Sequence, residues 1–200
     1  MPDTVSTPII QVNSHNLFST SLTFWEGGKV VEIIQLGDDD AQLELFWELR
    51  LYALKDAPEA FGSSYEETSQ KPMADLIAQQ RARMDSDNVV FVAKDADKFV
   101  GITGLHRESR LKTKHKAYIW GVYVLPELRG RSIARELMQC AIAYAGKITD
   151  VKQLQLSVEA NNAAAVRLYE SFGFTIWGTE LQSHYVNDSY LDAHHMVLNL

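Results

Sequence analysis

One stretch constrains this chain more than any other: Val122-Tyr-Val-Leu-Pro-Glu-Leu-Arg-Gly-Arg-Ser-Ile-Ala-Arg135. Its apolar start reads as a strand, Pro126 stops that strand, and a short basic turn opens a helix at about Ser132. Free backbone N–H groups at such a helix start converge on one spot, and the helix dipole adds positive potential there. Arg129, Arg131 and Arg135 add side-chain charge at the same end. Together with Gly130, Ser132, Ile133 and Ala134 they make a candidate cradle for phosphate, a pyrophosphate above all. The residues alone leave open a plainer reading, a solvated basic helix start that binds nothing.

The flanking sequence supplies a sheet and more helices. Residues 1–28 are rich in Ser, Thr and Asn without a period, and read as a leader or an extra edge strand; the domain proper is taken as 29–200. Lys29–Leu36 is a β-branched first strand. Leu43, Phe46, Trp47, Arg50, Leu51 and Leu54 recur at helical spacing up to about Lys55. Pro58 and Gly62 break that helix, and a second is expected over 72–84. Apolar runs at 88–93 and 99–105 read as strands joined by a hairpin at Lys94–Lys98, with a third strand over 118–124. Ile133, Leu137, Met138, Ala141 and Ala145 trace one face of a helix that Gly146 is expected to cap. Leu154, Leu156 and Val158 alternate with polar residues, a strand. A helix follows from about Asn162 to Phe172, ended by Gly173. Two strands near 174–180 and 190–198, joined by polar 182–189, finish the chain. The order predicts a single mixed α/β (α+β) domain.

At 46% hydrophobic and 22% charged residues the 200-residue chain has the composition of a soluble globular domain. Its formal charge of -7 argues against a general nucleic-acid-binding surface and suits a cationic small molecule. The single Cys140 forms no internal disulfide, fits a reducing compartment, and sits in an apolar helical pattern as packing. No apolar run is long enough for a membrane helix, and no basic region followed by an apolar stretch starts the chain, so a cytoplasmic location is expected.

The 122–135 stretch resembles the GNAT acyltransferases, which carry a [Gln/Arg]-x-x-Gly-x-[Gly/Ala] loop at this junction. Arg129 fills the first position and Ala134 the last, whereas Ser132 stands where the family usually has Gly. A second stretch, Val158-Glu-Ala-Asn-Asn-Ala-Ala-Ala-Val-Arg-Leu-Tyr169 followed by Gly173-Phe174, is similar to the family's Val-x-x-x-Asn-x-x-Ala-x-x-Leu-Tyr and its trailing Gly-Phe. A softer likeness, from Arg50 to Phe61, looks like the first helix and following loop of many members. The resemblance covers about 30–198.

The resemblance implies a mostly antiparallel, twisted sheet with helices on both faces and a splayed central strand pair. It implies acetyl-CoA as co-substrate, no metal, and a small-molecule or peptide amine as acceptor, with a homodimer as a further expectation. By the same match Val122, Tyr123 and Val124 meet the pantetheine arm, Val124 N–H serves as oxyanion donor, Asn162 contacts the cofactor, and Tyr169 is the general acid. For the general base, the positions often used by the family hold Tyr118 and Ser157; Glu159, on the same strand face as Ser157, is the substitute candidate. Direct attack by the amine leaves Cys140 without a task. Adjacent His194 and His195 point to opposite strand faces and make poor joint metal ligands. A non-catalytic acyl-CoA-binding module is the rival reading. A Rossmann dinucleotide enzyme is disfavoured, since no Gly-x-Gly-x-x-Gly follows the first strand.

Overall fold

The computed structural model describes residues 22–26 and 29–200, with the side chains of 22–30 outside that description. An eight-stranded sheet runs in the order β1-β2-β3-β4-β5-β6-β8-β7. Its strands are β1 (Leu22–Glu26), β2 (Lys29–Gln35), β3 (Asn88–Asp95), β4 (Lys98–Arg107), β5 (Lys116–Val124), β6 (Gln153–Glu159), β7 (Thr175–Val186) and β8 (Ser189–Asn199). Every neighbouring pair is antiparallel except β5 and β6, which run parallel. The edge strand β1 falls inside the stretch read as leader or extra strand; residues 1–21 and 27–28 lie outside the described residues.

Helices cover both faces, each placed by the side chains it buries. α1 (Asp40–Asp56) starts at Asp39, whose carboxylate accepts from Gln42 N–H at 3.0 Å, and buries Leu43, Phe46, Trp47 and Leu54. α3 (Met73–Arg83) packs beside it, held by Trp47 Nε1 donating to Leu76 O at 2.9 Å. On the other face α4 (Ile133–Lys147) buries Leu137, Met138 and Ala141 against Val89, Phe91 and Leu105. α5 (Ala163–Glu170) joins the same core through Tyr169. Period-two alternation sends Val90, Val92 and Ile102 to the α1 side and Phe91, Leu154 and Leu156 to the α4 side. No helix among the described residues is long and apolar enough to cross a membrane.

The structure departs from the sequence reading in three places. A short helix, α2 (Tyr65–Ser69), forms where a loop was expected, because Ser64 caps it by accepting from Glu67 N–H at 3.0 Å. Gly146 lies within α4 instead of ending it; the helix closes two residues later on an Ile148 N–H to Ala145 O bond of 3.1 Å. Polar 182–189 is mostly strand: the hairpin turns only at Asn187 and Asp188, both at positive φ, so β7 and β8 stay paired up to Val186 and Ser189.

Candidate active site between the two central strands

β5 and β6 pair only from Lys116↔Gln153 to Tyr118↔Gln155, and then part. The cause lies in β5. Gly121 takes φ 65°, and the register against β4 shifts between Ile102↔Tyr123 and Gly104↔Trp120, so Gly121 and Val122 share a single partner position. Such a bulge bends the strand and increases its twist. It also flips side-chain parity: Trp120 packs with the α1 core while Val122, two residues on, packs with the α4 core. Gly104 makes the arrangement possible, since a Cβ there would lie 2.0 Å from Trp120 Cε2.

Leu125 N–H donates to Val100 O at 2.9 Å. In the alternating ladder Tyr123 therefore gives its backbone to β4, while Val124, and Val122 before it, turn theirs into the gap. The Val124 carbonyl is taken by Arg129 Nε at 3.0 Å, and by the ladder its N–H is turned away from β4. Across the gap, Ala160 N–H donates to Asp192 O at 2.8 Å, which sets β6 so that Ser157 and Glu159 turn their backbone away from β8. The result is a cleft of about 250 Å³ walled partly by backbone, with Val122, Ser157, Glu159, Asn162, Tyr169 and Arg50 among its lining.

The predicted catalytic pair meets in this cleft. Tyr169 is 7% exposed, its ring set edge-on to Phe174 at 6.3 Å. Burial holds the phenol well above its ordinary pKa, so it carries its proton at neutral pH. Glu159 ends β6; its carbonyl accepts from Asn162 N–H at 3.0 Å, and the residue is half-buried and lines the cleft. Asn162 caps α5, with Oδ1 accepting from Ala165 N–H at 3.1 Å, leaving its NH₂ group for other partners. Tyr118 is held above the ordinary phenol range, by burial first and Glu108 second, which rules it out as a base near pH 7.

At the start of α4, Gly130 and Ser132 both take positive φ, 80° and 58°. None of the backbone N–H groups of 130–135 has a partner among the described residues, and such alternation turns successive N–H groups into a concave nest. Ser132 differs from expectation. It sits at the N-cap position with left-handed backbone and no side-chain cap bond, so it holds the conformation a glycine would take there. The arginines also divide. Arg129 is turned away from the nest to Asp56 Oδ2 at 2.8 Å, which Tyr123 OH shares at 2.8 Å. Arg135 donates to Ser171 Oγ at 3.0 Å and stacks on Phe172, while Arg131 is exposed. In this geometry Arg129 and Tyr123 brace the turn from α1, and the nest's positive potential comes from backbone, dipole and Arg131.

Cys140 is buried in the α4 core, where burial pushes its thiol up to about 12, and it lies apart from the cleft lining. His195 Nε2 meets Glu180 Oε2 at 2.9 Å and His194 Nδ1 meets Thr179 Oγ1 at 2.9 Å, each engaged across the β7–β8 hairpin. Two site features escaped the sequence reading. Gly121 was legible as a lone glycine inside a strand, a bulge signal. Arg50 was legible as a charge on the apolar stripe of α1.

Residues 47–174 match the model of the Acetyltransferase (GNAT) family. A spermidine N(1)-acetyltransferase of Vibrio cholerae is 30% identical over 108 residues, covering 54% of this chain and 61% of that protein. An L-amino acid N-acetyltransferase of Escherichia coli is 30% identical over 97 residues, covering 48% and 59%. The chain thus spans under two thirds of these relatives' lengths. A Salmonella typhimurium acetyltransferase solved with its cofactor acetyl-CoA shares the fold, with a TM-score of 0.70 at 21% identity over 84% of this chain and 94% of that one.

Proposed function

This chain belongs to the acetyltransferase (GNAT) family, and on that premise we propose that it moves the acetyl group of acetyl-CoA to a primary amine of a small molecule or peptide by direct attack. The observation that carries the reading is the cleft itself. A parted β5–β6 pair leaves Val122 and Ser157 lining a cavity that Tyr169 and Glu159 also line, and β5 leads on through Val124 to the N–H nest of 130–135.

The residues fit the co-substrate by donor chemistry. The 130–135 nest offers consecutive N–H groups to a pyrophosphate, and the strand edges offer alternating donors and acceptors to the amides of a pantetheine arm. Acetyl-CoA supplies a thioester carbonyl open to a neutral amine. Val124 N–H is the donor for an oxygen that gathers negative charge. Tyr169, protonated and buried, holds the proton that a departing sulfur requires; Glu159 receives the one the amine gives up. Asn162 and the capped start of α5 fix Tyr169 relative to β6. The exposed edge strand β7, with Trp177 and Tyr185 outward, is a suitable surface for a second copy, and light scattering of the purified chain would detect a homodimer.

The test is thiol release from acetyl-CoA against spermidine, amino acids, aminoglycosides and N-terminal peptides. The reading expects amine-dependent release with at least one class. Acetyl-CoA binding without release on any of them would make the chain a binding module.

A further inference from the structure

The relatives named above differ in whether the acceptor carries a carboxylate, and Arg50 bears on that difference. α1 points Arg50 at the sheet, where Cζ stands 5.1 Å from the ring centroids of both Phe61 and Trp120. Two aromatic faces favour a cation and exclude water, but they accept no conventional hydrogen bonds. Among the described residues Nη1 is fully buried and has no hydrogen-bond partner, and no carboxylate lies within ion-pair distance of the guanidinium. Buried charges are ordinarily paired, so an orphan of this kind is unusual. Burial first, and Arg83 second, pull the guanidinium down to about 10, which leaves it charged at neutral pH.

Its position gives the missing partner an address. Nη1 lies beside the bulge, 3.3 Å from where a Cβ on Gly121 would be. Arg50 lines the β5–β6 cleft together with Glu59 and Glu159. It also lines a larger adjoining cavity, about 730 Å³, under α1 and α3. That second cavity holds Lys71 and Arg83 against one carboxylate, Asp85, whose Oδ1 is already taken by Asp87 N–H at 2.7 Å and Asn88 Nδ2 at 2.9 Å. In a chain of formal charge -7, this wall is locally cationic. Glu59 and Glu159 line the cleft side, so acidic and basic residues line the two cavities that meet at Arg50.

We infer that Arg50 receives a carboxylate of the acceptor, and that the acceptor is an amino acid instead of a polyamine. A guanidinium fork binds a carboxylate through two parallel hydrogen bonds, and Phe61 and Trp120 flank this one. The carboxylate takes no part in bond making; it fixes the amine beside Glu159 and the cleft. A polyamine would bring a second cation against Arg50 with no acceptor to offer. The inference rests on the acetyl-transfer reading.

The experiment measures kcat/KM by thiol release with acetyl-CoA for the twenty amino acids, their carboxamides, their decarboxylated amines and spermidine. A site built around one ionic contact rejects analogues lacking it by about 100-fold or more. At least one amino acid should therefore exceed its own amide and amine by about that factor, a comparison within the native protein that depends on no variant folding. Arg50→Gln should collapse the ratio to below about tenfold with acetyl-CoA affinity unchanged by calorimetry, and Arg50→Lys, which keeps the charge without the fork, should fall between. Equal or better rates with the amides, the amines or spermidine would overturn the inference while leaving acetyl transfer standing. So would an Arg50→Gln loss that is the same for every acceptor, which would place Arg50 on the transfer step. No release with any acceptor would overturn the transfer reading and this inference with it.

Discussion

Replacing Ser132 by glycine isolates the backbone conformation of the turn that opens α4. Ser132 holds φ 58° and ψ 0° with no side-chain cap bond, a left-handed geometry that costs an ordinary L-residue about 1–2 kcal/mol. Glycine removes that cost but frees the unfolded chain, which opposes it by about 0.4–1 kcal/mol. The balance is a gain of about 0.5–1 kcal/mol, or a rise of about 1–4 °C in Tm at this chain length. Ser132→Ala separates the two contributions: it keeps the Cβ strain and deletes only the hydroxyl, so its Tm should stay within about 1 °C of the parent. Differential scanning calorimetry reads both shifts, and acetyl-CoA titration should show affinity held or improved in Ser132→Gly. A Tm lowered by more than about 2 °C would refute the strain argument. A tenfold loss of acetyl-CoA affinity would make the Ser132 hydroxyl itself a ligand.

Other perturbations test separate links. Ser132→Asp should weaken acetyl-CoA binding more than Arg129→Ala, because a carboxylate would face the phosphates while Arg129 is turned to Asp56; equal losses in titration would return Arg129 to the nest. Gly104→Ala drives a Cβ to within 2.0 Å of the Trp120 ring, and overpacking of that kind should cost about 2–3 kcal/mol, seen as a Tm drop of about 4–12 °C; an unshifted melt would mean the indole is free to move. Glu159→Gln should lower the rate at pH 7 and remove the acidic limb of the kcat profile, and an unaltered profile would leave proton uptake to solvent.

Much of this site was legible before any coordinates, because its parts obey local rules. The alternation of Leu154, Leu156 and Val158 gives β6 and its buried face, and the face traced by Ile133, Leu137 and Ala141 gives α4. What stayed hidden depends on contacts far apart in sequence. Asp56 and Arg129 are 73 positions apart, and nothing near either one announces their direct pairing beside Tyr123. The sign of φ at Ser132 is likewise a property of the whole turn, since serine by itself prefers the extended cap geometry. Arg50 was visible only as an anomaly on an apolar helix face; its lack of a partner emerges once Phe61 and Trp120 close around it. The 182–189 segment misled because its polarity suits a loop, whereas a hairpin edge exposed on both sides tolerates the same composition.

The steady-state kinetics of Tyr169→Phe across pH decide whether acetyl transfer takes place in the β5–β6 cleft. The phenyl ring keeps the edge-on contact with Phe174, so the fold should hold; only the proton on the phenol oxygen is lost. General acids contribute about 10²–10⁴-fold, and kcat should fall within that range while acetyl-CoA affinity is preserved. Because burial raises this phenol above its ordinary pKa of about 10, the native protein should keep the protonated acid, and its rate, up to at least pH 10. A variant with parental kcat and a lowered Tm would make Tyr169 a packing residue of α5 and remove the catalytic role from the cleft.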